Sequence, residues 1–355
     1  RKGTEMPLEI KRQWSDPGGS AARATSARIG ALADVDSPDA LTRILIIKLG
    51  ALGDFVLAFG PFAAVRAAHA AAEITLLTTQ PFAVLAERAP WFDRVEIDPR
   101  APWWNLREGF RLVRKLHGFD FVFDLQTSTR SGIYFRLAGR PPWSGVARGA
   151  SHPHRDPARN RMHTVERQCE QLRVAGIRQF PAPDLRWLTD AKSRFDLPER
   201  YALLIPGAAA HRPAKRWPAE RFGVLARHLT RIGLAPIVIG RHGEEALGAT
   251  IRALAPETID LMGRTTLTDL GPLAGGASLA IGNDTGPTHL AAQLRVPTLA
   301  LFSAASDPQL TAPRGPAGEL VSVLRVPSLV ELSFERVVAA LPERDRAPLQ
   351  PESSA

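Results

Sequence analysis

The sequence predicts an α/β protein of two domains, each built on a parallel β-sheet. Two series of short apolar, β-branched runs alternating with helical stretches carry that prediction. Strict alternation of strand and helix is the pattern of a parallel sheet. A Pro-rich, irregular stretch at 181–200 lies between the series and reads as a linker. The 355 residues, 45% of them apolar, suffice for two cores.

The first series begins after residues 1–40, which are rich in Gly, Ser, Ala and charge without periodicity and read as a disordered extension. Asp34-Val35-Asp36 has the look of a metal-binding pair, but a solvated tail is a poor ligand cage. Residues 43–49 (RILIIKL) read as a buried strand, and Gly50-Ala51-Leu52-Gly53-Asp54 as a tight loop after it. Residues 55–70 read as one helix with Pro61 in or near its first turns. Glu73–Thr78 is a second strand, 81–88 a short helix, and 119–125 (FDFVFDL) a third strand. Helices at 128–138 and 164–175 complete a first domain over 41–180.

In the second series Tyr201–Ile205 is a strand, Ala219–Arg231 a helix, 235–239 a strand and 244–255 a helix. Further strands fall at 258–261, 279–281 and Thr298–Phe302, giving a second domain over 201–330. A late helix within 331–342 is expected to pack back on the first domain, and 343–355 reads as a disordered tail. Ligands bind at the carboxyl ends of the strands of such sheets, so the turns after strands are where chemistry is sought.

Composition narrows the classes. The single cysteine, Cys169, excludes an intrachain disulfide framework and a Cys-based zinc site, and fits a reducing compartment. The most apolar run, 44–60, is broken by Lys48 and Asp54 and is shorter than the roughly 20 residues a membrane helix needs. Residues 1–40 lack the apolar core of a signal peptide. The net charge is +9, and residues 100–173 carry fourteen basic and six acidic groups, so nearly the whole excess sits there. That stretch suits an acidic partner, though an Arg-rich solvated surface has the same composition.

Three turns carry the chemistry. Gly282-Asn283-Asp284-Thr285-Gly286-Pro287-Thr288-His289-Leu290 follows a strand and opens a helix to about residue 294. Thr285 suits the N-cap and Pro287 the first turn. Free amides, the hydroxyls of Thr285 and Thr288 and the helix dipole then point at one spot, as a phosphate site requires. The same residues also suit a well-capped structural helix. After strand Tyr201–Ile205, Gly207 lets backbone approach a ligand, and Lys215 supplies a fixed cation, with Arg216 beside it and Trp217 as core. Two exposed basic side chains are the plain alternative. Third, Asp54 ends the first glycine loop, either as a proton acceptor for an attacking hydroxyl or as a helix cap. Glu244, at a helix start after the strand at 235–239, is a carboxylate suited to ribose hydroxyls or simply to the helix dipole. The segment His163-Thr164-Val165-Glu166-Arg167 begins a helix that faces either a cleft or solvent. His152 and His154 have no further ligands nearby.

Taken together, the motifs at 48–54, Asp124-Leu125-Gln126-Thr127-Ser128, 163–167, 215–218, Glu244 and 284–290, in this order, resemble glycosyltransferase family 9, the lipopolysaccharide heptosyltransferases, over about residues 42–340. The resemblance implies the GT-B architecture: two Rossmann-like domains facing a central cleft. It implies transfer of heptose from ADP-heptose to a Kdo or heptose hydroxyl of the lipopolysaccharide inner core, with inversion, no cofactor and no bound metal. On it, Asp54 matches the general base and Lys215 the lysine on the donor diphosphate. Gly207, Glu244, Asp284, Thr285, Gly286, Thr288 and His289 fall on the donor side, and Gly53, Gln126, Ser128, His163 and Arg167 on the acceptor side. The chain departs from the family in its 40 leading residues and in the loop His211-Arg212-Pro213-Ala214.

The expected partners are a nucleotide sugar and a phosphorylated, lipid-anchored oligosaccharide. The expected location is the cytoplasm, peripherally at the inner membrane. A dehydrogenase is disfavoured, because the first loop lacks Gly-x-Gly-x-x-Gly and the second strand ends without an acid. A nucleic-acid module is disfavoured, because the basic stretch lacks interleaved aromatics for base stacking. A transferase for another nucleotide sugar, a sugar-nucleotide epimerase on the same fold and a non-catalytic partner of another transferase are the remaining alternatives.

Overall fold

The structure, a computed structural model, describes residues 43–342 apart from 103, 210 and 317. The extension at 1–40, with Asp34 and Asp36, and the tail at 343–355 lie outside the described residues.

The first half forms a sheet from β1 (Arg43–Ile47), β2 (Glu73–Thr78), β3 (Arg94–Ile97), β4 (Phe121–Asp124), β5 (Trp143–Gly145) and β6 (His152–Pro153). Its order is β3-β2-β1-β4-β5-β6, with every pairing parallel. The second half uses β7 (Tyr201–Ile205), β8 (Ala235–Val238), β9 (Ile259–Asp260), β10 (Leu279–Asn283), β11 (Thr298–Phe302) and β12 (Val321–Arg325) in the order β12-β11-β10-β7-β8-β9, again all parallel. Counted within its own half, the second order repeats the first. Both are doubly wound sheets whose winding reverses between the first and fourth strands, the switch point where such folds bind ligands. The central strands β1, β7 and β10 are apolar and buried almost throughout, as strands covered on both faces must be.

The connecting helices of the first half are α1 (Leu52–Val56), α2 (Phe59–Ala68), α3 (Gln80–Arg88), α4 (Leu106–Leu116), α5 (Thr129–Leu137), α6 (Thr164–Val174) and α7 (Arg186–Thr189). Those of the second are α8 (Ala219–Arg231), α9 (Glu245–Leu254), α10 (Leu270–Gly275), α11 (Gly286–Gln293), α12 (Pro308–Thr311) and α13 (Phe334–Ala339).

Three expectations need correction. The single helix over 55–70 is two, α1 and α2, because Pro61 has no N–H for the Leu57 carbonyl and the chain re-caps at Ala58. Asp54 therefore lies inside a helix, in its first turn, and not in the loop before it. The linker is not a loose connector. It contains α7, whose Leu188 is buried and packs directly on α10 at Gly271. Trp187 meets Phe59 at 6.0 Å and Trp91 at 5.8 Å between ring centroids, so one apolar cluster runs from Phe59 and Phe62 through the linker to Leu203 and Leu273. The late helix does not return to the first domain. α13 packs on α8, and Val337, Val338 and Leu341 join the second core beside Trp217 and Phe222.

Candidate active site

The mouth of the first sheet is built where β1 and β4 end. Lys48 leaves β1 into the interior, 4% exposed, and donates to the Leu125 carbonyl at 3.1 Å. Burial pulls its ammonium down to about 8, against the opposing pull of Asp54 and Asp124. Asp124 is fully buried at the end of β4, and burial lifts its carboxyl to about 6 although the Thr127 and Gln126 amides donate to it at 2.8 and 3.1 Å. The Leu49 amide donates to Gln126 Oε1 at 2.8 Å, which ties the β1 and β4 turns together. Thr127 holds a φ of +47°, a strained choice for a β-branched residue and one that clusters at functional turns. Asp54 is half-buried over this floor, within electrostatic reach of Lys48 and Arg167. Arg159 completes the cluster, donating to Thr127 Oγ1 at 2.7 Å and to His154 Nδ1 at 3.2 Å. Burial lowers the Arg159 and Arg167 guanidiniums, and at Arg159 the repulsion from Arg167 adds to it.

The mouth of the second sheet is organised by Asn283, which is fully buried. Its Oδ1 accepts from the Trp217 amide at 3.1 Å and its Nδ2 donates to the Pro206 carbonyl at 2.8 Å, joining the β7 and β10 turns. Lys215 Nζ lies 2.5 Å from Asp284 Oδ2, and His289 Nε2 lies 3.3 Å from Asp284 Oδ1. Burial alone would raise Asp284, but His289 and Lys215 hold it down at about 2. Thr285 is at the N-cap of α11, and its buried hydroxyl makes no cap bond and has no partner, like the buried Nδ1 of His289. The Thr285 hydroxyl and the first-turn amides of α11 thus lie beside the Lys215–Asp284 pair, a donor set suited to a diphosphate. One turn away, Glu244 is held by Arg216 at 3.3 Å and Arg241 at 3.4 Å, and a Cβ on Gly207 would overlap its carboxylate.

The two mouths face each other in contact. α1 packs on the start of α11. A Cβ on Gly53 would lie 3.1 Å from His289 Cδ2, and one on Gly286 would lie 2.5 Å from the Leu52 Cβ. Alongside, His163 at the N-cap of α6 accepts from the Val165 amide through Nδ1 at 3.2 Å, so Nε2 carries the proton and donates to the Ala312 carbonyl at 3.0 Å. Arg314 pairs with Glu166 at 2.9 Å. Burial, reinforced by Arg314, pushes the His163 imidazole down to about 4.

The residues singled out in the sequence therefore separate. Asp54, Gly53, Arg167, Lys215, Asp284, Thr285, Gly286 and His289 come together in one cleft. Gly207 and Glu244 border it, and Gln126 lies beneath it as a turn fastener. Three hydroxyl or imidazole groups are spent on the protein itself. Ser128 caps α5 through the Ser131 amide at 3.2 Å. Thr288 is fully buried and donates to the Asn283 carbonyl at 2.8 Å. His163, 1% exposed, ties α6 of the first half to the Ala312 carbonyl of the second. Lys48, Asn283 and Arg159 went unassigned in the sequence, although Lys48 stood out as a charge within an apolar run.

The protein-family model described as glycosyltransferase family 9 (heptosyltransferase) matches residues 110–336, well over half of the chain. Lipopolysaccharide heptosyltransferase 1 of Pseudomonas aeruginosa is 26% identical over 288 residues, covering 73% of this chain and 78% of that one. Lipooligosaccharide heptosyltransferase 2 of Haemophilus influenzae is 32% identical over 117 residues, and the match spans only 34% of its length. Among solved structures, the E. coli heptosyltransferase WaaC with ADP superposes with a TM-score of 0.69 at 21% identity, over 84% of this chain and 98% of that one. That likeness establishes the shared two-domain fold.

Proposed function

The chain belongs to glycosyltransferase family 9, and from that premise we propose that it transfers heptose from ADP-heptose to the lipopolysaccharide inner core, with inversion and without a bound metal. The reaction is a single displacement. Asp54 takes the proton of the acceptor hydroxyl as that oxygen attacks the anomeric carbon. The bond to the nucleoside diphosphate breaks, and Lys215 with the N-terminus of α11 neutralises the charge that develops on it. Thr285 Oγ and the first-turn amides of α11 are the remaining diphosphate donors, and Glu244 serves the ribose. Lys48 and Arg167 beside Asp54, with Arg159 on the neighbouring Thr127, make this mouth positive, which suits a phosphorylated acceptor. The acceptor is lipid-anchored, so the enzyme works in the cytoplasm at the inner-membrane surface.

The observation that carries this reading is the close approach of Gly53 to His289. It puts a half-buried carboxylate from one sheet opposite the Lys215–Asp284–Thr285 cradle of the other. The test is a donor screen by mass spectrometry, offering ADP-, UDP- and GDP-sugars with a truncated core acceptor, in the presence and absence of chelator. Transfer from ADP-heptose, undiminished by chelator and lost in Asp54→Asn, is expected. Transfer of another sugar instead, or wild-type turnover by Asp54→Asn, would remove the donor assignment or the base respectively.

A further inference from the structure

Helix α4 has two faces that disagree about solvent. Leu112 and Leu116, one turn apart, are buried against the first domain. On a different, outer face Leu106 and Phe110, also one turn apart, are 70% and 71% exposed, and Trp104 just before the helix is 67% exposed. The helix is well defined locally: Asn105 caps it by accepting from the Glu108 amide at 3.2 Å, and Glu108 pairs with Arg111 at 2.5 Å. Arg107, Arg111 and Arg114 are exposed and border Leu106 and Phe110 along one edge of that face. Adjacent α5, on which α4 packs, exposes Ile133 and Leu137 and carries Arg136. Leu106 and Phe110, held outward on the helix, cost solubility.

We propose that α4 and the turn before it form a membrane-docking element, in which Trp104, Leu106 and Phe110 enter the headgroup–acyl boundary of an anionic bilayer. The charge pattern selects this occupant. On the helix Arg111 is matched by Glu108, and Lys115 by Glu96 of β3 at 3.0 Å, which leaves the exposed Arg107 and Arg114 as its excess positive charge. An apolar strip with a basic rim is the make-up of an interfacial helix. A second copy of the chain would bring cations against cations. The position fits as well. The turn leading into α4 follows the carboxyl end of β3, and Arg100 in that turn donates to the Leu49 carbonyl at 3.2 Å. Asp98, 1% exposed, anchors the turn to α5 through Arg130 at 3.1 Å. The docking strip is thus fastened to the same rim as the turn that leads into α1, the helix that carries Asp54. Docking would hold that rim near the bilayer plane, where a lipid-anchored hydroxyl is presented. The inference rests on the proposed function only for that lipid-anchored acceptor.

The test is flotation of the full chain with phosphatidylcholine vesicles, with and without phosphatidylglycerol, for wild type and the double variant Leu106→Ser/Phe110→Ser. Both positions are exposed, and equal melting temperatures would show that the variant folds. Wild type is expected to float with the anionic vesicles only, less so at high salt. The double variant should lose roughly tenfold or more of that partitioning. It should keep wild-type transfer to a soluble, delipidated acceptor. Wild type remaining at the bottom with anionic vesicles overturns the proposal, as does undiminished flotation of the variant. Light scattering that shows a dimer broken by the double variant would overturn it in favour of self-association. If neither protein transfers sugar to the soluble acceptor while wild type alone floats, the transferase reading fails and the docking element stands.

Discussion

Leu52 and Gly286 meet across the cleft so closely that a Cβ on Gly286 would lie 2.5 Å from both Cβ and Cγ of Leu52. The glycine is required by space and not by backbone angle, since the residue opens a regular helix. Gly286→Ala should therefore hold the two mouths apart and cut turnover by roughly tenfold to a hundredfold, because small misplacements of reacting groups are costly. Each domain's own core is untouched, so the melting temperature should change little. Leu52→Gly in the Gly286→Ala background should restore part of the rate. Steady-state kinetics of the two variants check this, and an absence of recovery would show that the loss is not steric.

Lys215 is already committed to Asp284 at 2.5 Å, so it is pre-aimed and its charge is fixed in place. Its interaction with a leaving diphosphate strengthens as the bond breaks, which is the kind of contact that lowers a barrier. Lys215→Ala should lower kcat by about a hundredfold to a thousandfold, with a smaller rise in donor KM. A change confined to KM would mean that Lys215 contributes only ground-state binding.

Two buried groups pull pH stability in opposite directions. Asp124 has its pKa raised from 3.8 to about 6 in the folded chain. Its contribution is full below pH 4 and is lost as pH rises through 6. His163 has its pKa lowered from 6.5 to about 4. Its contribution is full above pH 6.5 and is lost as pH falls through 4. The shifts are similar in size, each on the order of 3 kcal/mol, so they should nearly cancel between pH 4 and 6.5. In denaturant titrations these two contributions should oppose each other across that window. Asp124→Asn should unmask stability that rises with pH, and His163→Gln stability that falls with it. Parallel profiles for all three proteins would show that neither group is held as described.

The sequence made the central strands legible because β1, β7, β10 and β11 are unbroken apolar runs, and the strand-end rule then located both mouths. It did not reveal β5 and β6, whose three and two residues are too short for any periodicity. Nor did it reveal the partner of α13, since an apolar helix face does not say which core will take it. Within the site, residue type singled out Asp54, Lys215 and Thr285, which the fold brings to facing strand ends. It did not show that Ser128, His163 and Thr288 are engaged by the protein's own backbone. Short polar side chains at helix starts satisfy local backbone groups first, and only geometry shows whether an atom is left over for a ligand. Lys48 was passed over because a charge inside an apolar strand reads as an interruption. In the fold it places a buried positive charge beside Asp54.

The aromatic and leucine side chains of the connector, Trp187 and Leu188, are shared property of the two halves. They make the joint behave as a greased bearing and not as a tether. Opening the cleft has to roll around that bearing, which narrows the path of motion to a few directions. Cutting the chain at the joint would strip a face from each half, so neither piece should be expected to survive alone.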